Sequence, residues 1–157
     1  MEKVEKELKN ENYKKFGLML LISFCIMYAV MFLNVDSADH IYLSLTRLYM
    51  SLLMVSPMAL LMLTLMKMMY KDKKLNRIII VSSISIFVLV LILLRTQTPI
   101  GDKQFMKAMI PHHSSAILTS KHANIVDPEV KVLSEKIIKS QEEEIDQMKA
   151  ILERMGK

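Results

Sequence analysis

The chain has 157 residues, 52% of them hydrophobic, a formal net charge of +5 and a single cysteine, Cys25. One cysteine excludes a disulfide framework and a cysteine metal site, and apolar residues gathered in three long blocks argue against an ordinary soluble fold. Residues 95–157 hold ten basic and nine acidic residues, a balance that gives no support to nucleic-acid binding.

Residues 1–15 (MEKVEKELKNENYKK) alternate acid and base and predict a solvated tail, helical or frayed. A three-helix transmembrane anchor is predicted over 16–94. Leu18 to Val35 is nearly uncharged, and Leu48 to Met66 and Ile78 to Leu94 carry no charge. Each block approaches the roughly 20 residues that cross a bilayer at about 1.5 Å per residue. The first block is too long for a cleaved signal peptide and lacks a small-x-small site, so it is expected to remain as a helix. Met50, Met54, Met58, Met62 and Met66 recur every four residues in the second block. Gap-filling is the favoured reading of this ladder, because a four-residue repeat drifts around a helix.

Orientation follows from the short loops that hold Lys and Arg. The tail carries Lys3, Lys6, Lys9, Lys14 and Lys15, and the second loop carries Lys71, Lys73, Lys74 and Arg77, whereas the first loop (NVDSADHIYLSLTR) has only Arg47. Tail and second loop are therefore expected to be cytoplasmic, and everything after Arg95 extracytoplasmic. Asp36, Asp39 and His40 in the first loop are expected to lie in a solvated segment, with a hard-metal or entry site as the lesser reading.

Pro99 and Gly101 make 95–101 a linker. Residues 102–157 predict a helical hairpin: helix A from about Asp102, as N-cap, to about Asn124, and helix B capped by Asp127, with Pro128 in its first position, to about Met155. Helical spacing puts Asp102, Phe105, Met106, Met109, His113 and Ala116 on one face of helix A, with His112 at its edge. It puts Val130, Leu133, Ile137, Gln141, Glu144, Met148 and Met155 on one face of helix B. Thioethers and imidazoles together suit copper, and Cu(I) in particular, without a thiolate. The candidate ligands are Met106, Met109, His112 and His113 from helix A, and Gln141, Glu144 and Met148 from helix B. Adjacent histidines point about 100° apart on a helix, so His113 faces the seam and His112 binds from the edge or supports its neighbour. Pro111 is expected to kink helix A at the pair. Asp102 serves equally as cap or ligand, Gln141 and Glu144 also suit bonding to the imidazoles, and His122 reads as a surface residue.

The run from Asp102 to His113, D-x-x-F-x-x-x-M-I-P-H-H, and Q-x-x-E-I-x-x-M from Gln141 to Met148 resemble the domain of unknown function 305 family. The resemblance covers residues 102–155, and the three-helix anchor resembles a membrane-bound branch of that family. It implies ferritin-like helical packing, an extracytoplasmic location and an association with copper binding and copper tolerance. A methionine often found six residues after the second histidine is Thr119 here.

The sequence thus predicts an all-α protein, three transmembrane helices followed by an extracytoplasmic hairpin that completes a four-helix bundle by oligomerisation. The function expected is Cu(I) buffering or transfer in copper tolerance. Its expected partners are the membrane, the copper ion, a second copy of the chain, and a copper transporter or oxidase. The alternative is a structural or sensory membrane module whose hairpin mediates association without metal. No metalloprotease, di-iron, nucleophile-elbow or phosphate-loop motif is present, so catalysis is not expected.

Overall fold

The computed structural model describes residues 2–156, with the side chains of residue 7 and of residues 10–156; Lys3, Lys6 and Lys9 of the basic tail lie outside the described side chains. Among the described residues the chain is all-helical: α1 (Glu2–Val30), a short 3-10 helix (Ala38–His40), α2 (Leu45–Leu65), α3 (Lys73–Thr96), α4 (Asp102–His122) and α5 (Pro128–Gly156). Stretches of 21, 21 and 24 residues in α1, α2 and α3 are long and apolar enough to cross a membrane. Their exposed faces are apolar too, with Leu21, Ile26, Val81 and Leu89 all open, as a lipid-facing surface requires and a water-facing one does not. The first apolar block ends sooner than Val35, since α1 stops at Val30.

The chain divides into two compact units. One takes residues up to Ala29 together with Leu48–Thr98. Its core is Phe16, Ala59, Met62, Leu63 and Tyr70, with Met58 and Met66 packed against it. The Phe16 and Tyr70 rings meet edge to face at 5.2 Å. The Tyr13 hydroxyl donates to Asn76 Oδ1 at 2.7 Å and accepts from the Asp72 amide at 3.1 Å, tying α1 to the start of α3. Asp72 caps α3 by accepting from the Lys74 and Leu75 amides. Met50 and Met54 of the methionine ladder are exposed while Met62 is buried, the drift that a four-residue repeat makes by advancing about 40° per step.

The second unit joins Val30–Arg47 to residues 99 and beyond. Here α4 and α5 pack as an antiparallel pair around Met106, Ile110, Ile117, Ile145 and Leu152. The α5 cap is as expected, with Asp127 Oδ1 accepting from the Glu129 and Val130 amides at 2.9 and 3.0 Å. At α4 the N-cap is Gly101, and Asp102 falls in the first turn, where its charge suits the helix dipole. The buried faces also differ from those expected. Phe105, at 53% exposure, leaves the α4 seam, and Val130 and Leu133, at 48% and 55%, leave that of α5. Their places are taken by Ile110 and Ile117 on α4, and by Ser134, Ile145 and Leu152 on α5. One residue is a rotation of about 100°, and paired apolar neighbours such as Ile137/Ile138 leave two faces nearly equivalent until α4 selects one.

The first loop is no free, solvated segment. The Asp36 amide donates to Ser114 Oγ at 2.7 Å, the Ser115 hydroxyl donates to the Asn34 carbonyl at 2.9 Å, and the Leu45 amide donates to Gln104 Oε1 at 3.0 Å. Lys121 pairs with Asp36 at 3.0 Å and Lys149 with Asp39, while Tyr42 packs on the hairpin core. Arg47, in the first turn of α2, is buried with its guanidinium 4.5 Å from the Phe32 ring centroid.

Candidate metal centre

The α4 segment around the histidine pair is held by packing below and by the loop above. Ile110, Pro111, Ser114 and Ile117 are buried almost completely, and His113 is 8% exposed between them. His112, one residue on, is exposed, and the two rings stand 6.1 Å apart. Across the seam, Glu144 Oε2 comes within 3.2 Å of His113 Nδ1. No hydrogen bond joins the two, and Nδ1 is buried without a hydrogen-bond partner. Burial pushes the His113 pKa below its ordinary value, against the opposing pull of Glu144. A neutral ring with an unengaged nitrogen is the form that can ligate a metal.

The thioethers collect further along. Met106, Met148 and Met155 line an open groove between α4 and α5, together with Asp102, Phe105 and Ile151. Met106 is seven residues from His113, about 10 Å along the helix axis, so the groove and the imidazole are separate places on one seam. Met109 falls between them in sequence and is half-buried, as is Gln141, whereas Glu144 is exposed and bonded to the Ser140 hydroxyl. The seven candidates therefore divide into a thioether end with Met106 and Met148, an imidazole–carboxylate end with His113 and Glu144, the half-buried Met109 and Gln141, and an outlying His112. Met155, which the spacing put on the inner face but not among the ligands, joins the thioether end. His122 is exposed, its ring beside the Leu118 carbonyl. Thr119 bonds back to the Ser115 carbonyl. Among the described residues no three His, Cys, Asp or Glu side chains converge on a common point.

A second polar cluster brings Asp39 and His40, which the sequence placed in a solvated segment or a hard-metal site, to Ser114, which the sequence reading did not single out. Ser114 Oγ lies 2.9 Å from His40 Nδ1, and His40 Nε2 is 3.8 Å from Asp39 Oδ2. The order Asp, His, Ser imitates a hydrolase triad, but Ser114 is fully buried and its oxygen already accepts from the Asp36 amide. The cluster fastens the loop. Burial lowers the His40 pKa, with Lys149 acting in the same direction, and the hydrogen bond from Lys149 holds the Asp39 carboxyl down to about 2.

Residues 62–152 match the family described as domain of unknown function (DUF305). The chain belongs to that family. The match begins at Met62 inside α2, well before the hairpin motifs, so the DUF305 region takes in α3 as well as α4 and most of α5. This DUF305 chain is also 40% identical over 139 residues to an uncharacterized protein of Acanthamoeba polyphaga mimivirus, a span covering 87% of this chain and 90% of the relative. No solved structure matches.

Proposed function

We propose that this DUF305 protein is a membrane-anchored, extracytoplasmic copper-binding protein that buffers or hands on Cu(I) in copper tolerance. The observation that carries the reading is the shared seam of α4 and α5, with three thioethers in one open groove and, about two helical turns away, a buried imidazole nitrogen without a hydrogen bond. The donor set fits a soft ion: thioether sulfur and neutral imidazole suit Cu(I), and harder ions would need the carboxylate cluster that the described residues do not form. Met106, Met148 and Met155 would hold the ion at the open end, where exchange with a transporter or oxidase is accessible. His113, with Met109 between, would offer the second position. In this scheme copper is cargo.

Sidedness rests on charge. The hydrogen bonds between the segment 30–47 and α4 support a shared side of the membrane for that segment and the hairpin, in keeping with three crossings, and the basic tail and the Lys71 to Arg77 loop favour the exterior for that side. Half-exposed Phe105, Val130 and Leu133 are apolar surface that a second hairpin would cover, completing a four-helix bundle.

The test is Cu(I) competition against a chromogenic chelator on full-length protein in detergent, because a fragment beginning at residue 99 would lose the loop that closes the unit. Met106→Leu/Met148→Leu keeps side-chain volume nearly constant and is expected to weaken Cu(I) binding at least tenfold, about 1.4 kcal/mol, while His122→Ala leaves it unchanged. Equal affinity in all three proteins removes the copper reading. A second reading, a metal-free sensory module, is favoured by the closeness of Glu144 to His113, which would pair on protonation. That reading expects no chelator competition and a pH-dependent change in self-association.

A further inference from the structure

The three-helix unit contains a cavity that metal handling does not use. A cleft of about 410 Å³ runs between α1, α2 and α3, open along one side and walled by Gly17, Leu20, Ser56, Ala59, Ile79 and Ile86, with Tyr13 and Leu75 at one end. Of the three serines in its wall, Ser83 is buried and two spend their hydroxyls on their own helices: Ser56 on the Leu52 carbonyl at 2.8 Å, and Ser82 on that of Ile79 at 3.0 Å. The lining is thus effectively hydrocarbon.

Length and charge identify an occupant. From Leu75 to Ile86 the cleft extends roughly 16 Å along α3, about half the ~30 Å hydrocarbon core of a bilayer. It therefore serves one leaflet and ends near the midplane. Even its whole open space of about 890 Å³, spread over that length, gives a mean cross-section of roughly 55 Å², below the ~80 Å² of a helix 10 Å across. An extended acyl chain matches such a slot; a docking helix does not. At the Tyr13 and Leu75 end the chain neighbours are Lys14, Lys15, Lys73 and Lys74, with Arg77 one turn on. The nearby acids are engaged: Glu11 with Lys14 at 3.1 Å, and Asp72 in capping α3. Tyr13 falls near the start of the apolar stretch Asn10–Val30, the end of a span where tyrosine is enriched.

We infer that this cleft is a site for one anionic diacyl phospholipid, its acyl chain between the helices and its phosphate against the lysines that flank Tyr13 and Leu75. The site depends on the membrane assignment alone and is independent of copper in the hairpin.

Native mass spectrometry of the delipidated full-length protein, titrated with phosphatidylglycerol or phosphatidylcholine, tests it. The wild type is expected to retain one phosphatidylglycerol at concentrations where phosphatidylcholine is lost. A Cβ at Gly17 would meet nothing within 4 Å, so the backbone tolerates a side chain there, and Gly17→Leu should narrow the cleft and remove both lipids. Lys73→Gln/Lys74→Gln leaves the cleft intact and should cut the preference for phosphatidylglycerol by roughly 25-fold, at about fivefold per basic side chain; it carries the test if the narrowed variant does not fold. Equal retention of the two lipids by the wild type, or an unchanged preference in the lysine variant, overturns the site. Disulfide linkage of Gly17→Cys to a second copy would assign the cleft to a helix and overturn it equally.

Discussion

At Ser114 one fully buried hydroxyl accepts from the Asp36 amide and meets the His40 ring. Removing it leaves a part-buried N–H without its partner, which costs about 1 kcal/mol. Ser114→Ala is accordingly expected to speed amide exchange across residues 30–47 while α4 and α5 keep their helicity, read by hydrogen-exchange mass spectrometry. His40 adds a pH dependence whose sign is set by its lowered pKa. The unfolded ring takes up its proton near pH 6.5 and the folded one only below that, so the stability it contributes is full above 6.5 and is lost as pH falls further. His113 shifts in the same direction. Thermal unfolding of the hairpin unit should therefore come at lower temperature at pH 5.5 than at pH 7. His40→Asn keeps an acceptor in place of Nδ1 and should flatten that slope; an undiminished slope would assign it to other groups. Asp39, at about 2, titrates far outside this window.

At the scale of elements, the ends of α5 were legible and its buried face was not. Asp127 and Pro128 form a local start signal needing no tertiary partner, and the cap forms as that signal requires. Asp127→Ala should cost about 1 kcal/mol, measurable as fraying of the first turn. The face is a tertiary choice. Ile145, 1% exposed, and Leu133, 55% exposed, are both apolar and both sit at helical spacing. Ile145→Ala is expected to destabilise the hairpin by about 2–5 kcal/mol through the cavity it leaves, and Leu133→Ala by no more than about 0.5 kcal/mol. If hairpins pair through the exposed face, Leu133→Ala should instead weaken cross-linking between copies.

Over the whole molecule, a reporter active only in the cytoplasm is expected to work when fused in the Lys71 to Arg77 loop and to fail when fused after Lys157; the opposite pattern would reverse the assigned orientation and remove the argument that binding occurs outside. Three helices long and apolar enough to cross a membrane, two hairpin helices and the residue types of the candidate metal seam were determined by the sequence alone, because each depends on local composition: uninterrupted apolar length, a capping residue beside a proline, and soft donors crowded into a few turns. Tertiary structure decided the rest. Asp36 finds Ser114 across 78 residues and Lys149 finds Asp39 across 110, so a polar loop that reads as solvated by composition becomes part of the hairpin unit. The division of the candidate ligands into a thioether groove and a separate imidazole also follows from register across the seam, which helical spacing within either strand of the hairpin leaves undetermined by one residue and about 100°.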